Sequence, residues 1–503
     1  MKTTMALLLT AWSTSVLGQV PFSVTNLHPL DEPGYACAVR EYGDSLLVFT
    51  HKQAYDGSEV NVFTEAYGPD GALLWEKQHP TARAATLGYW DPISEPDTFG
   101  TFFGGLTTTG INQPDSLFLV RFDQQGNLMS RSFLTSAYDL VTRDVVRSGP
   151  NVYTAYSRLD SADGPYRAFL IRSDSTGAVV WERDYPTIWA SSLGMAVNQN
   201  EEIFLTGWEA SAAFPYRSRI LKCDTSGDQI WNQPFMSNWP GTYNHSAVSR
   251  KIACLDNGDP VLAGGCWDES GIGAPETEQF LTRLNTINGN KVWLSRFDTA
   301  ISEFAMLDDV ELASNGDLLT CGYSTPADTN GFHGVLYRVA SSGPLLWKRR
   351  FRFLTGGAVN MLNDITELAD GSIALCGTTR LSFTFGTVIW VLKLDADGCL
   401  VPGCGSVGVV EIDVPLGPVH RMWPNPSADV LHVDLDGSDA ITGEHQAQYS
   451  IIGVNGHDTA MKGSLRSGTN SIDVRGLAPG TYGLIVSTAQ PHAKRNYRFV
   501  VAR

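Results

Sequence analysis

Four carboxylates crowd one short stretch of the chain, WDESGIGAPETEQ, which holds Asp268, Glu269, Glu276 and Glu278. Two acids facing each other across a cleft could cleave a glycosidic or peptide bond, one giving a proton and the other acting as base or nucleophile. Asp268 and Glu276 are the acids such an enzyme would use. Spacing alone does not set them face to face, and a solvated acidic loop is the simpler reading. Other catalytic patterns are missing. The sequence has no His-Glu-x-x-His helix, no Gly-x-Ser-x-Gly elbow, no Gly-rich phosphate loop and no complete calcium loop. Asp395, Asp397 and Gly398 begin like a calcium loop, but the run stops at Cys399 without the later Glu, as a hairpin turn would. The ten histidines do not cluster, and His51, His245 and His333 are expected in or near loops as surface or packing residues. No metal site and no cofactor are expected.

Aromatic residues between strands point to binding instead. Tyr55, Trp90, Tyr166, Trp189, Trp208, Tyr216, Trp239, Tyr243 and Trp267 are expected in connections that emerge on one face of a repeat fold. Rings on loops held by a rigid scaffold can stack on sugars or anchor a peptide. Trp90, Trp189, Trp208, Trp239, Tyr243 and Trp267 are the candidate ligand contacts, with packing of long loops onto the scaffold as the equal alternative.

A phrase that returns about every fifty residues must position these groups. A turn, a Gly, three mostly apolar residues and a Trp recur at Gly71–Trp75, Gly177–Trp181, Gly227–Trp231, Gly289–Trp293 and Gly343–Trp347. Two more copies keep the Gly and lose the Trp: Gly126 with Ser130, and Gly398 with Pro402. Spacings of 55, 51, 50, 62, 54 and 55 residues in a strand-rich chain signal radially repeated four-stranded units, hence a closed seven-bladed β-propeller. The seventh copy shows the grammar: NMLNDITEL, the turn ADGS, IALCGTT, a loop, TVIWVLKLD, then DADG. Alternating apolar runs with Asn/Asp-Gly punctuation give hairpins, strand A innermost and D outermost. Trp75, Trp181, Trp231, Trp293 and Trp347 then sit on D strands and dock one unit on the next. The last copy has a poor strand D, and Val20–Leu27 is expected to supply it and close the ring.

The first 18 residues carry one Lys, an apolar run and a small-residue ending, as a secretory signal peptide does; the run is too short to span a bilayer. No other segment is long and apolar enough to cross one. Eight cysteines in an exported chain could pair, but Cys321 and Cys376 repeat one position in consecutive copies and read as buried small hydrophobes. Cys399 and Cys404 are the candidate disulfide. The net charge of −17 comes from the repeat region, which argues against nucleic acid or an anionic membrane as partner.

The closest copies, DSTGAVVW and DTSGDQIW (Asp174–Trp181 and Asp224–Trp231), resemble the tryptophan-docking repeat of PQQ-like propellers. The resemblance covers about residues 35–404 and implies the fold; the adjacent Cys-Cys pair of the quinone enzymes is missing. After a linker at 405–418 the chain changes character. MWPNPSADVLHVDL, YSIIGVNGH, GTNSIDVRGLAPGTYGLIV and YRFVVAR alternate apolar residues with Gly, Asn and Pro turns, as a small immunoglobulin-like β-sandwich does. In this order they resemble the type A sorting domain of the type IX secretion system of Bacteroidota, carried by Pro424, Asn425, Pro426, Gly480 and Tyr482. That resemblance implies passage through the periplasm, recognition by the outer-membrane translocon and removal by a sortase-like peptidase, with the cargo secreted or held at the surface.

The expected organisation is a signal peptide at 1–18, a propeller at 19–404, a linker, and a sorting domain at 419–503. The expected function is that of a monomeric binding module for glycan or protein, with a secreted hydrolase or lyase acting on polysaccharide or peptide as the alternative.

Overall fold

The computed structural model describes residues 21–26, 34–53, 60–79, 101–107, 116–123, 125–135, 140–159, 166–189, 194–209, 217–234, 245–268, 277–297, 304–325, 331–353, 358–380, 387–400, 410–413, 419–423, 427–435, 447–453, 458–466, 468–487 and 494–502. Among the described residues every regular element is a strand. The chain divides into two compact units, Met1–Asp413 and Val414–Arg503.

The first unit opens with β1 (Phe22–Asn26) and continues as antiparallel sheets that follow the sequence repeat. Sheet one is β2 (Gly34–Tyr42), β3 (Ser45–Gln53), β4 (Val60–Tyr67) and β5 (Leu73–His79). Sheet two shows β6 (Thr101–Thr107), β7 (Ser116–Phe122) and β8 (Leu128–Thr135). Sheet three is β9 (Leu140–Ser148), β10 (Asn151–Leu159), β11 (Tyr166–Ser173) and β12 (Val179–Trp189). Sheet four is β13 (Met195–Val197), β14 (Ile203–Glu209), β15 (Arg217–Cys223) and β16 (Gln229–Pro234), joined to sheet three through β12 and β14. Sheet five is β17 (His245–Cys254), β18 (Pro260–Asp268), β19 (Thr277–Leu284) and β20 (Lys291–Phe297). Sheet six is β21 (Ala305–Leu312), β22 (Leu318–Ser324), β23 (His333–Val339) and β24 (Leu345–Arg352). Sheet seven is β25 (Val359–Glu367), β26 (Ile373–Arg380) and β27 (Val388–Leu394). Its fourth strand is β1, antiparallel to β27 with Phe22 opposite Lys393 and Asn26 opposite Ile389.

The apolar cores lie between sheets, because the inner strands are buried on both faces and one sheet alone cannot cover them. Phe49 and Val62 of sheet one meet Phe122 of sheet two. Leu119 of sheet two meets Val145 and Val152 of sheet three. Further clusters join three to four, four to five, five to six and six to seven. Ile389 and Val391 of sheet seven return to Val48 and Tyr67 of sheet one, so the circuit of cores closes and the first unit is a β-propeller.

The recurring Gly and Trp fasten successive sheets. All seven repeat glycines have positive φ, from 67° at Gly126 to 108° at Gly343, a region that L side chains rarely enter. The Trp of one sheet lies against the Gly of the next: a Cβ on Gly227 would stand 2.8 Å from Trp181, on Gly289 2.9 Å from Trp231, on Gly398 2.8 Å from Trp347. Gly126 meets Trp75 and Gly343 meets Trp293 in the same way. Gly71 of sheet one meets Phe22 and Val24 of β1 instead. The N-terminal strand thus takes over the docking that the seventh copy, lacking its Trp, cannot perform.

Part of the segment expected as linker is a strand: β28 (Val410–Asp413) pairs in parallel with β24, Val410 opposite Arg349. Cys399 is disulfide-bonded, and Cys223, Cys254, Cys266, Cys321 and Cys376 carry no disulfide. Cys404 lies outside the described residues.

The second unit holds β29 (Val419–Trp423), β30 (Val430–Leu435), β31 (Ala447–Gly453), β32 (Asp458–Leu465), β33 (Gly468–Asp473), β34 (Gly480–Ser487) and β35 (Lys494–Val501). A three-stranded sheet, β29-β30-β33, and a four-stranded one, β32-β31-β34-β35, share a core of Leu431, Val433, Ile451, Ile472, Leu484 and Val486, the arrangement of a β-sandwich.

Candidate functional site

Charged side chains gather where the innermost strands converge. β2, β17, β21 and β25 each carry one extra residue against their partner strand, near Cys37, Arg250, Asp308 and Asn363, and β9 is irregular beside Asp144. Such bulges bend a strand and re-aim its side chains. Glycines opposite make room for them: a Cβ on Gly264, Gly322 or Gly377 would stand 2.0 Å from a carbonyl oxygen of the bulged strand. The result is a cavity of about 310 Å³ lined in part by Arg40, Lys251, Asp309 and Asp364.

These charges are consumed in holding the strands. Arg40 pairs with Asp364 at 2.6 Å, and Lys251 with Asp144 at 2.9 Å. The same carboxylates accept backbone N–H groups of the following sheet: Asp144 from Met195 at 2.8 Å, Asp309 from Ile365 at 3.0 Å, Asp364 from Val39 at 2.8 Å. Burial, with the Asp364 charge adding to it, pushes Asp309 well above the usual carboxylate range. Asp308 is pushed up to about 6 by burial, which Arg250 at 3.5 Å opposes only in part. In a separate hollow also lined by Arg40, Glu41 accepts from Ala369 N at 2.8 Å and Glu367 from Ser314 N at 2.6 Å. Perturbed carboxyls are expected of catalytic sites and of structural ion networks alike; Asp309 bonds a backbone amide of the neighbouring strand, whereas neither oxygen of the buried Asp308 carboxyl accepts a hydrogen bond among the described residues.

The acids singled out from sequence fall differently. Asp268 ends β18 and Glu278 lies on β19, so neither sits in a loop. Glu278 is ion-paired with Arg296. Glu269 and Glu276 lie outside the described residues. His51 and His333 are also strand residues rather than loop residues, both buried; His51 Nδ1 lies 3.3 Å from Cys37 Sγ, and its ring stacks on Tyr35. His245 begins β17. Asp395 accepts from the N–H of Asp397 at 3.0 Å and of Cys399 at 2.7 Å, a closed hairpin turn. Among the described residues no group of three or more His, Cys, Asp and Glu could hold a metal ion.

The aromatic candidates divide. Trp90, Trp239, Tyr243, Tyr55 and Tyr216 lie outside the described residues. Trp189, Trp208 and Trp267 are strand residues, not loop residues, near the ends of β12, β14 and β18, and Tyr166 starts β11. Alternating patterns ran on past the apparent turn signals, which is why the strands reach further than expected. The structure brings two of them together: Trp189 and Trp208 are direct partners across the β12–β14 pairing.

Sequence reasoning missed a second set of repeat residues. Arg121, Arg172, Lys222 and Arg338 each stand two positions before the turn residue and donate to a carbonyl in the next sheet's turn, at Ser175, Thr225, Thr286 and Ala396. A basic residue at that offset recurs at Arg283 and Lys393, so the signal was in the repeat, beside the more visible Trp.

In the second unit Pro424, Asn425 and Pro426 lie outside the described residues. Gly480 opens β34, and the Tyr482 hydroxyl donates to Ala478 O at 2.8 Å, bracing the turn before that strand. Residues 421–501 match the family model of a secretion system C-terminal sorting domain. The tail is a type IX sorting domain. It marks the protein for export through the periplasm to the cell surface or beyond, and for engagement with the secretion machinery. No curated protein matches the chain. Among solved structures it is similar to the β-propeller domain of the Trilobed protease of Pyrococcus furiosus, at 8% identity over 75% of this chain and 98% of that one, TM-score 0.41. PorZ, a surface component of the type IX secretion system of Porphyromonas gingivalis, shows 10% identity over 93% and 81%, TM-score 0.25. A protein of unknown function from Bacteroides caccae shows 12% over 58% and 91%, TM-score 0.35. No helix among the described residues is long and apolar enough to cross a membrane.

Proposed function

We propose that this exported protein is a seven-bladed propeller that binds a glycan or protein ligand on the face where its second and fourth strands end. The limits are a signal peptide at 1–18, the propeller at 19–404, a linker at 405–418 and the sorting domain at 419–503, which a sortase-like peptidase removes. The Cys399 partner is Cys404, and the working state is a monomer without cofactor.

The Trp189–Trp208 pairing carries the binding reading. The pairing sets two tryptophan positions opposite each other at strand ends, on a frame held by interlocking sheets, and aromatic residues on a rigid scaffold are the kind that dominate binding energy. Trp267 stands one residue before the end of β18, the second strand of sheet five, and Trp90, Trp239 and Tyr243 are the further candidates that the sequence offers. The charged cavity supports this reading because its acids are engaged with backbone amides and basic side chains. Glycan and peptide arrays probed with the full chain and with Trp189→Ala and Trp208→Ala test it. Retention that both substitutions weaken at least tenfold, without product, is expected. New reducing ends or peptide fragments, lost in Asp268→Ala or Glu276→Ala, would instead establish the hydrolase or lyase.

A further inference from the structure

The stretch that leads to the sorting tail is tied back onto the propeller. After sheet seven the chain returns to sheet six, where β28 runs along β24 in parallel register: Val410 opposite Arg349, Glu411 opposite Arg350, Ile412 opposite Phe351 and Asp413 opposite Arg352. The two acidic positions of β28 thus stand opposite two arginine positions, and residues opposed in a ladder share one face of the sheet. Four of the five residues from Lys348 to Arg352 are basic, in a chain of net charge −17. Arg349 is used elsewhere, donating to Asp397 O at 2.9 Å. The other docking strands lack this pattern. β5 has one Lys or Arg, Lys77, β8 has Arg131, β12 has Arg183 and β16 has none, while those of β20, Lys291 and Arg296, are five apart. Among the described docking strands, two acids spaced two apart therefore fit β24 alone. The boundary between the two units falls directly after β28, and the sandwich begins with β29 at Val419.

From this register we infer that Val410–Asp413 is a strap, held on β24 by its ladder and by the opposed charges, that confines removal of the tail to bonds beyond Asp413 and stays with the propeller as the fifth strand of sheet six. This rests on the reading that a peptidase removes the tail, and deepens it by saying which bonds that peptidase reaches. A peptidase takes its substrate as an extended strand through main-chain groups. One edge of β28 is already bonded to β24. A bond inside the strap is therefore cut only after the strap has opened. A parallel ladder of four residues is weak by itself, so the charges at opposed positions set how often it opens, and salt screens them.

Two measurements test the strap, the first without any tail removal. Hydrogen exchange read by mass spectrometry on the full chain should show the 410–413 segment protected. Glu411→Lys with Asp413→Lys, which changes no residue of the seven repeat copies, should speed its exchange about tenfold while β23 stays as slow as before. Salt at about 1 M, where charges are screened within about 3 Å, should act in the same direction. Adding Arg350→Glu and Arg352→Glu to the lysine pair should restore protection, because both sides of the ladder are then reversed. The second measurement is the intact mass of the exported protein recovered from the cells that make it, which should place its C-terminus at Asp413 or later. An unprotected 410–413 segment in the native chain, exchange indifferent to charge reversal, or a mature chain that ends before Asp413 would each overturn the strap. A mature chain that still ends at Arg503, with 410–413 protected and sensitive to charge, would sink tail removal alone and leave the strap standing.

Discussion

Trp231 of sheet four lies against Gly289 of sheet five so closely that a methyl group on that glycine would stand 2.9 Å from ring carbon Cζ3, while the indole nitrogen donates to Thr286 O at 3.2 Å. The contact joins two sheets that bury little on their own. Trp231→Ala should cost about 3 kcal/mol, the usual loss for a buried Trp. Gly289→Ala should also destabilise, through its φ of 72° and the clash with the indole. The double variant should lose less than the sum, because removing the ring removes the clash. Urea midpoints of the four proteins decide this; strict additivity would mean the two residues do not interact.

Sheet two has Ser130 where five of the other sheets have Trp, and the described core between sheets two and three is thin, with Leu119, Val145 and Val152. Gly177 already has the positive φ of a docking glycine, at 87°. Ser130→Trp should therefore stabilise the ring by about 1 kcal/mol through added burial. A lowered melting temperature would show that this seam is packed differently from the others.

Glu201 has φ of 59° in the turn between β13 and β14, where the turns of sheets five, six and seven use Gly258, Gly316 and Gly371. A left-handed conformation costs a side-chain-bearing residue about 1 kcal/mol. Glu201→Gly should return that amount, seen as a higher urea midpoint with an unchanged slope.

Asp308 is buried and titrates near 6, above the ordinary carboxylate value of 3.8. Its ionisation therefore opposes folding: the penalty is absent below pH 4, grows between pH 4 and 6, and is constant above. Relative to the native chain, Asp308→Asn should gain about 3 kcal/mol between pH 4 and pH 7, whatever the substitution costs at pH 4. Unfolding curves at the two pH values measure it, and a gap that does not change with pH would mean that Asp308 titrates normally.

β1 closes the ring through one ladder and through Phe22 and Val24 on Gly71. Phe22→Asp should place an unpaired charge in that seam and cost about 3 kcal/mol or more. Hydrogen exchange should show the protection of β27 and β5 falling first. Uniform loss across all sheets would mean the ring unfolds without opening at this joint.

The repeat phrase specified sheets, turns and docking tryptophans because each depends on neighbours within a few residues: a Gly for positive φ, alternation for a strand, a Trp one strand later. Val20–Leu27 could be assigned to the last sheet for a similar reason, since the seventh copy visibly lacked a D strand. The reach of β12, β14 and β18 was not legible, because hydrogen bonding to an adjacent strand prolongs a strand past its local turn signals. The inner carboxylates escaped notice for the same cause: Asp144, Asp309 and Asp364 look like ordinary exposed acids until bulges bring them to one centre.

By itself, then, the sequence determined the repeat, the closing strand and the sorting tail, all written in local patterns of turn, period and motif. The tertiary structure alone decided that the carboxylates of the inner strands latch neighbouring amides and that Trp189 and Trp208 fall opposite each other in the β12–β14 pairing. These are contacts between residues brought together by ring closure and sheet packing, and no local pattern in a single chain encodes which distant side chain will stand opposite.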